Sequence, residues 1–97
     1  MKVKILGSAF EDLDRARLFY ETQEPGLGTY FLDSIFSDID SLLLYAGVHR
    51  KVFGSHRLLA KRFPYAIYYK LQPGSTAVVW RVLDLRQSPG KHAKALK

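Results

Sequence analysis

Arg57, Lys61 and Arg62 lie within one short stretch, Tyr65 follows three residues later, and Arg81 and Arg86 punctuate the last extended run of the chain. Guanidinium and ammonium groups gathered in this way meet phosphates or carboxylates, Arg through a planar fork of donors and Lys as a point charge. Cutting a phosphodiester without a metal asks for more. It needs cations where charge develops on the phosphate, and a group to move the 2′-hydroxyl proton. Arg57, Arg62, Arg81 and Arg86 could supply the first. For the second the chain offers His49, His56, His92 or a perturbed Tyr or Lys, and none stands at a convincing spacing. The three histidines also share no metal-ligand spacing with a carboxylate, and there is no cysteine, so neither a metal site, a cofactor nor a thiol nucleophile is expected.

The charge around these residues is lopsided. Residues 1–48 hold four basic and eight acidic side chains, a balance of −4, whereas residues 49–97 hold eleven basic side chains and one acidic one, Asp84, a balance of +10. Such a half makes an electropositive surface able to steer an acidic partner, whether nucleic acid or an acidic protein segment. Arg81, between Trp80 and Val82 on what should be a central strand, must either be paired or face a ligand. Asp84 falls on the other face of an ideal strand and is not automatically its partner. Arg86 either meets a target or pins the C-terminal turn, and Trp80 reads as core.

The elements that must position these groups can be read from periodicity. Lys2 to Leu6 alternates polar and apolar residues, as a short strand does. Ser8 and Glu11 have capping-box spacing, and Ala9, Leu13, Ala16 and Tyr20 follow at helical intervals until Pro25 and Gly26. Gly26-Leu-Gly28 is so short that two adjacent antiparallel helices must flank it. From Thr29, a candidate N-cap, Leu32, Ile35, Phe36, Ile39, Leu42, Leu43 and Ala46 repeat at steps of three and four, with Asp33, Asp38 and Asp40 on the wet side and Gly47 as the stop. The spacing thus predicts a helical hairpin over 9–24 and 29–46. Beyond it the period becomes that of strands: 57–62 and 65–71 on either side of Pro64, a turn at Gln72-Pro-Gly-Ser75, and a long strand over 76–85.

Ninety-seven residues, 47% of them apolar and 25% charged, suit one globular domain over 1–97, with 91–97 a basic tail, frayed or briefly helical. No signal-like or membrane-spanning run is present, so a soluble cytoplasmic protein without a membrane partner is expected. The order is β-α-α-β-β-β, an α+β domain with a helical hairpin packed on an antiparallel sheet of three or four strands. In the stretch LLAKRFPYAIYYKL, Pro64 belongs where the chain bends between strands. Tyr65, Ile67 and Tyr69 then share one face, and Ala66, Tyr68 and Lys70 the other. One tyrosine set can fill the core, while the other must find water or a ligand.

These residues together resemble the RelE/ParE superfamily, the toxins of prokaryotic toxin–antitoxin systems, and within it the ParE-like plasmid stabilisation branch. The resemblance rests on AFEDLDRARLFYE (9–21), on Gly26-Leu-Gly28 followed by Phe31 and Ile35, and on Arg57 with RFPYAIYY (62–69). It is completed by VLDLR (82–86) followed by Pro89. It implies a β-α-α-β-β-β toxin domain neutralised by a cognate antitoxin that wraps an extended acidic-apolar segment around it, in a heterotetramer or higher complex. Ribonuclease members, which cut mRNA on the ribosome, carry an arginine directly after the tyrosine that begins the third-strand motif; here that residue is Ala66. Branch members often place a histidine where this chain has Asp84. Both departures favour a ParE-like toxin that acts by binding a target such as DNA gyrase and is not an enzyme, through Arg57, Lys61, Arg62, Tyr65, Arg81 and Arg86. The alternatives are a RelE-like mRNA endoribonuclease and a non-toxic relative kept as a protein- or nucleic-acid-binding module.

Overall fold

Leu13, Ala16 and Tyr20 on one helix and Phe31, Ile35 and Ile39 on the next are all buried, and this shared apolar stripe lays the hairpin on the sheet. The computed structural model describes residues 1–97. In chain order the elements are β1 (Lys2–Ile5), α1 (Gly7–Gln23), α2 (Leu27–Asp40), α3 (Leu42–Tyr45), β2 (Lys51–Val52), β3 (Ser55–Leu59), β4 (Tyr65–Gln72), β5 (Thr76–Asp84) and α4 (Pro89–Ala95). The α+β architecture is the expected one. Its five strands run in the order β1-β5-β4-β3-β2, and the sheet is mixed rather than wholly antiparallel. β1 lies parallel to β5, with Lys2 opposite Thr76 and Ile5 opposite Val79, while the other pairs are antiparallel. The helices carry the chain from β1 at one edge to β2 at the other, and three antiparallel reversals then bring β5 back beside β1 in the same direction.

Several local expectations change. Ser8 does not cap α1: its hydroxyl donates to the Trp80 carbonyl at 2.7 Å, and Leu6 stands at the N-cap without a side-chain bond. Thr29 lies inside α2. Gly26, at φ 88°, begins that helix, and Glu21 reaches across the turn to accept from the amides of Gly26 and Gly28. Gly28 is needed where it stands, because a Cβ there would lie 2.7 Å from the Arg17 carbonyl oxygen. The long second helix breaks at Ser41, whose hydroxyl donates to the Asp38 carbonyl. The tail beyond Pro89 is a helix, capped by Ser88 accepting from the Lys91 amide.

The sheet is buried on both faces by unequal means. The helix side carries the larger cluster, in which Phe31 stacks on Tyr20 at 5.0 Å between ring centres and meets Phe63 and Tyr65 edge-on. The alternation in β4 holds: Tyr65, Ile67 and Tyr69 face this cluster, whereas Ala66 and Tyr68 face the other side with Leu83 and Leu96. The second tyrosine set does not look to water. Tyr68 is fully buried, and the group it meets is His92 of α4.

Candidate functional site

β1 ends at Ile5 while β5 runs on to Asp84, so the outer edge of β5 beyond Val79 has no strand beside it. Bare strand edges are templates for unwanted pairing and are managed by covering them. Here α1 and α4 cover the edge with side chains. Ser8 takes the Trp80 carbonyl, Asp12 accepts the Val82 amide at 3.0 Å, and His92 Nε2 donates to the Asp84 carbonyl at 2.7 Å. With that nitrogen protonated, His92 Nδ1 is left as an acceptor for the Tyr68 hydroxyl at 2.8 Å. A polar seam thus stands where a sixth strand is missing.

Arg81 belongs to this seam. Its guanidinium grips Asp12 with two parallel bonds of 2.7 and 2.8 Å, and its third nitrogen reaches the Ala95 carbonyl at the end of α4. Asp12, only 6% exposed, thereby serves one strand amide and one guanidinium, and the hydrogen bond raises the Arg81 pKa further. Asp12 sits in the first turns of α1, and nothing local in the sequence points to a partner 69 residues away. Arg86 is held in the same way by the nearer carboxylate. Asp84 accepts from its Nε, Nη2 and backbone amide, which holds the Asp84 carboxyl below its usual range.

Of the six residues singled out by type, Tyr65, Arg81 and Arg86 come together in one cleft of about 430 Å3 between α1, the end of β5 and α4. Its walls also carry Arg15 and Phe19 from α1 and Lys91 from α4, which sequence reasoning did not select. Helical spacing offered a signal for the first two, because Asp12, Arg15, Ala16 and Phe19 share one helix face. Tyr65 is 6% exposed and its phenol is pushed well above the ordinary range, chiefly by burial and then by Tyr20 and Asp84 nearby, which removes it as a proton acceptor near neutrality.

Arg57, Lys61 and Arg62 stay outside this cleft. Arg57 is half-buried on β3 opposite Tyr68, and therefore on the face away from the hairpin. Lys61 and Arg62 are exposed in the β3–β4 loop. None of the three is in an ion pair. Their loop is set by Asp38, which does not lie on the wet side of α2. It is 5% exposed and accepts from the Lys61 amide at 3.1 Å. The histidines take their hydrogen bonds from other groups. The Tyr69 hydroxyl accepts from the Gly47 amide and shares a hydrogen bond with His49 Nδ1, and burial followed by the neighbouring His56 lowers the His49 pKa. His56 donates to the His49 carbonyl and stacks on Tyr69. No cluster of His, Asp and Glu is placed to hold a metal, and no helix is long and apolar enough to cross a membrane.

A helical hairpin on a mixed five-stranded sheet of this order recurs in a solved structure. That structure, of the chromosomal ParDE TA system from P. aeruginosa, contains a chain that superposes with a TM-score of 0.78 at 20% identity. The match covers 89% of this chain and 97% of that one. No protein-family model and no curated protein matches the sequence. At 20% identity the likeness is one of fold.

Proposed function

We propose that this protein is the toxin of a type II toxin–antitoxin system, ParE-like, acting in the cytoplasm by binding its target and silenced by a cognate antitoxin. The observation that carries the reading is the fold shared with a chain of the ParDE system over 89% of the molecule, joined to the motif order quoted above. The target surface is the free basic one, Arg57, Lys61 and Arg62. Arg81 and Arg86 are already engaged by Asp12 and Asp84, and Tyr65 is buried, so these three support the fold.

Ala66 favours binding over cutting. The position that ribonuclease relatives fill with arginine is fully buried here, packed with Tyr68, Leu83 and Leu96 beneath α4. The spot at which such an enzyme would carry that arginine is therefore part of an apolar cluster beneath α4, while Arg57 lies further along the same face. Losing a single charge-stabilising donor costs about 3–4 kcal/mol of transition-state stabilisation. DNA gyrase is the target the ParE-like branch implies.

Induction in cells tests this directly. The expected result is a growth arrest with filamentous cells, inhibited gyrase supercoiling and intact ribosome-bound transcripts, relieved by co-expressing the antitoxin. Replacing Arg57, Lys61 and Arg62 together by Ala should abolish the arrest. Codon-phased cuts in ribosome-bound mRNA soon after induction would restore the ribonuclease. A harmless protein that purifies alone would leave a binding module.

A further inference from the structure

The cleft between α1 and α4 has an electrostatic surplus that its internal pairs do not consume. Two of its carboxylates are spoken for: Asp12 by Arg81 and the Val82 amide, Asp84 by Arg86. Two cations remain without a close partner. Arg15, three-quarters exposed, comes no nearer than 3.7 Å to the already engaged Asp12, and Lys91 on the opposite wall makes no ion pair at all. Phe19, 47% exposed, lines the same cleft one turn along α1 from Arg15, with the Arg86 guanidinium over its ring at 6.0 Å from the centre. The cleft thus joins uncompensated positive charge on both walls to a half-exposed aromatic ring, in a volume within the range of small-ligand sites.

We propose that this cleft binds a phosphate-bearing ligand of mononucleotide size. The phosphate lies between Arg15, Lys91 and the unengaged Nη1 of Arg86, and the base lies against Phe19. The chemistry follows from the lining. A phosphate accepts bidentate donors from Arg and a point contact from Lys, and bases stack on aromatic rings and on guanidinium planes. The ligand would also tie α4 to α1, because Lys91 lies on α4 and Arg81, beneath it, already holds the Ala95 carbonyl. The site lies at the β5 edge, apart from the free basic surface of Arg57, Lys61 and Arg62, and the inference does not depend on the toxin reading.

The test is a titration of the full chain with AMP, adenosine, inorganic phosphate and a 5′-phosphorylated dinucleotide, followed by calorimetry and by backbone amide NMR shifts. AMP is expected to bind more tightly than either adenosine or phosphate, to perturb the amides of Phe19, Arg86 and Ala95 together, and to slow hydrogen exchange in α4. Arg15→Gln or Lys91→Gln should each weaken AMP about tenfold, the scale of one charge-assisted contact. Both side chains are exposed, so the fold should survive, and the shift map of the unaltered protein decides the location even if a variant misfolds. A tighter dinucleotide identifies the source as a nucleic-acid end, and equal affinity identifies a free nucleotide. Lys2→Gln/Lys4→Gln on β1 is the control for diffuse charge. The inference is overturned by no AMP binding, by phosphate binding as well as AMP, by full affinity in both cleft variants, or by an equal loss in the β1 control.

Discussion

The helix-covered face of the sheet and the face beneath α4 are closed by different physics. On the first, fourteen buried side chains interlock, with Phe31 touching Tyr20, Phe63 and Tyr65, and no ion pair among them. On the second, only Ala66, Tyr68, Leu83 and Leu96 are buried together, and directional bonds share the work: His92 to Tyr68 and to the Asp84 carbonyl, and Arg81 to Ala95. The apolar face should fail as a unit, because removing any part leaves a cavity that its neighbours fill poorly. The polar face should fail locally, because α4 can leave while the sheet remains.

The largest effect is expected at the centre of the first face. Phe31→Ala removes a fully buried ring and should lower unfolding free energy by about 3–5 kcal/mol, enough to threaten folding altogether. Urea denaturation followed by circular dichroism reads this. A loss below about 1 kcal/mol would break the comparison, since the face would then not be close-packed.

Asp12→Ala comes next, because Asp12 joins the two systems. The change leaves the Val82 amide without its acceptor and Arg81 without its carboxylate, a buried pair broken from one side. Arg81 keeps 23% side-chain exposure, so a loss of about 3 kcal/mol, at the lower end for such a break, is expected. Replacing both members, Asp12→Leu with Arg81→Met, should recover part of that loss. A double variant no better than Asp12→Ala would mean that the pair itself, and not its unpaired remnant, matters.

His92→Ala tests the second face alone. Tyr68 and the Asp84 carbonyl each lose a partner, for an expected cost of about 1–3 kcal/mol. The sharper reading is its distribution. Hydrogen exchange should accelerate across α4 and at the end of β5 while α1 and α2 keep their protection. Uniform acceleration would show the two faces to be one cooperative unit.

The contrast also explains what was legible in the sequence. Apolar periodicity is a local signal, so the hairpin, the β4 alternation and the turn at Pro73-Gly74 could all be read from neighbouring residues. The polar seam is not local. Asp12 and Arg81 are 69 residues apart, Asp38 meets the Lys61 amide across 23, and Ser8 is drawn from its capping role by a carbonyl 72 residues on. Parallel pairing of β1 with β5 depends likewise on where the helices and the antiparallel reversals bring the chain. The candidate site divides along the same line. Arg81, Arg86 and Tyr65 were identifiable by type, but Arg15, Phe19 and Lys91 became their neighbours only once α1 and α4 were set on either side of β5.

The smallest expected effect lies where the apolar face ends in a polar joint. Glu21, at the end of α1, accepts from the amides of Gly26 and Gly28 at the start of α2, taking the place that Thr29 seemed suited for. A carboxylate is the right group there, since helix-start amides are unpaired donors at the positive end of the dipole. The two amide bonds, more than the nearby Arg17, lower the Glu21 pKa. A depressed carboxyl contributes stability that is fully present above its unfolded pKa, about 4.3, and is lost as pH falls through the folded value. Asp84, lowered by Arg86, contributes in the same direction, so the acid limb of the wild-type curve alone assigns nothing. The difference between wild type and Glu21→Gln isolates the joint. It should be small and constant near neutrality and shrink towards zero as the pH drops below about 4. A difference that stays constant down through that range would mean the amides are satisfied equally well by a neutral side chain, and that the charge at this turn contributes nothing.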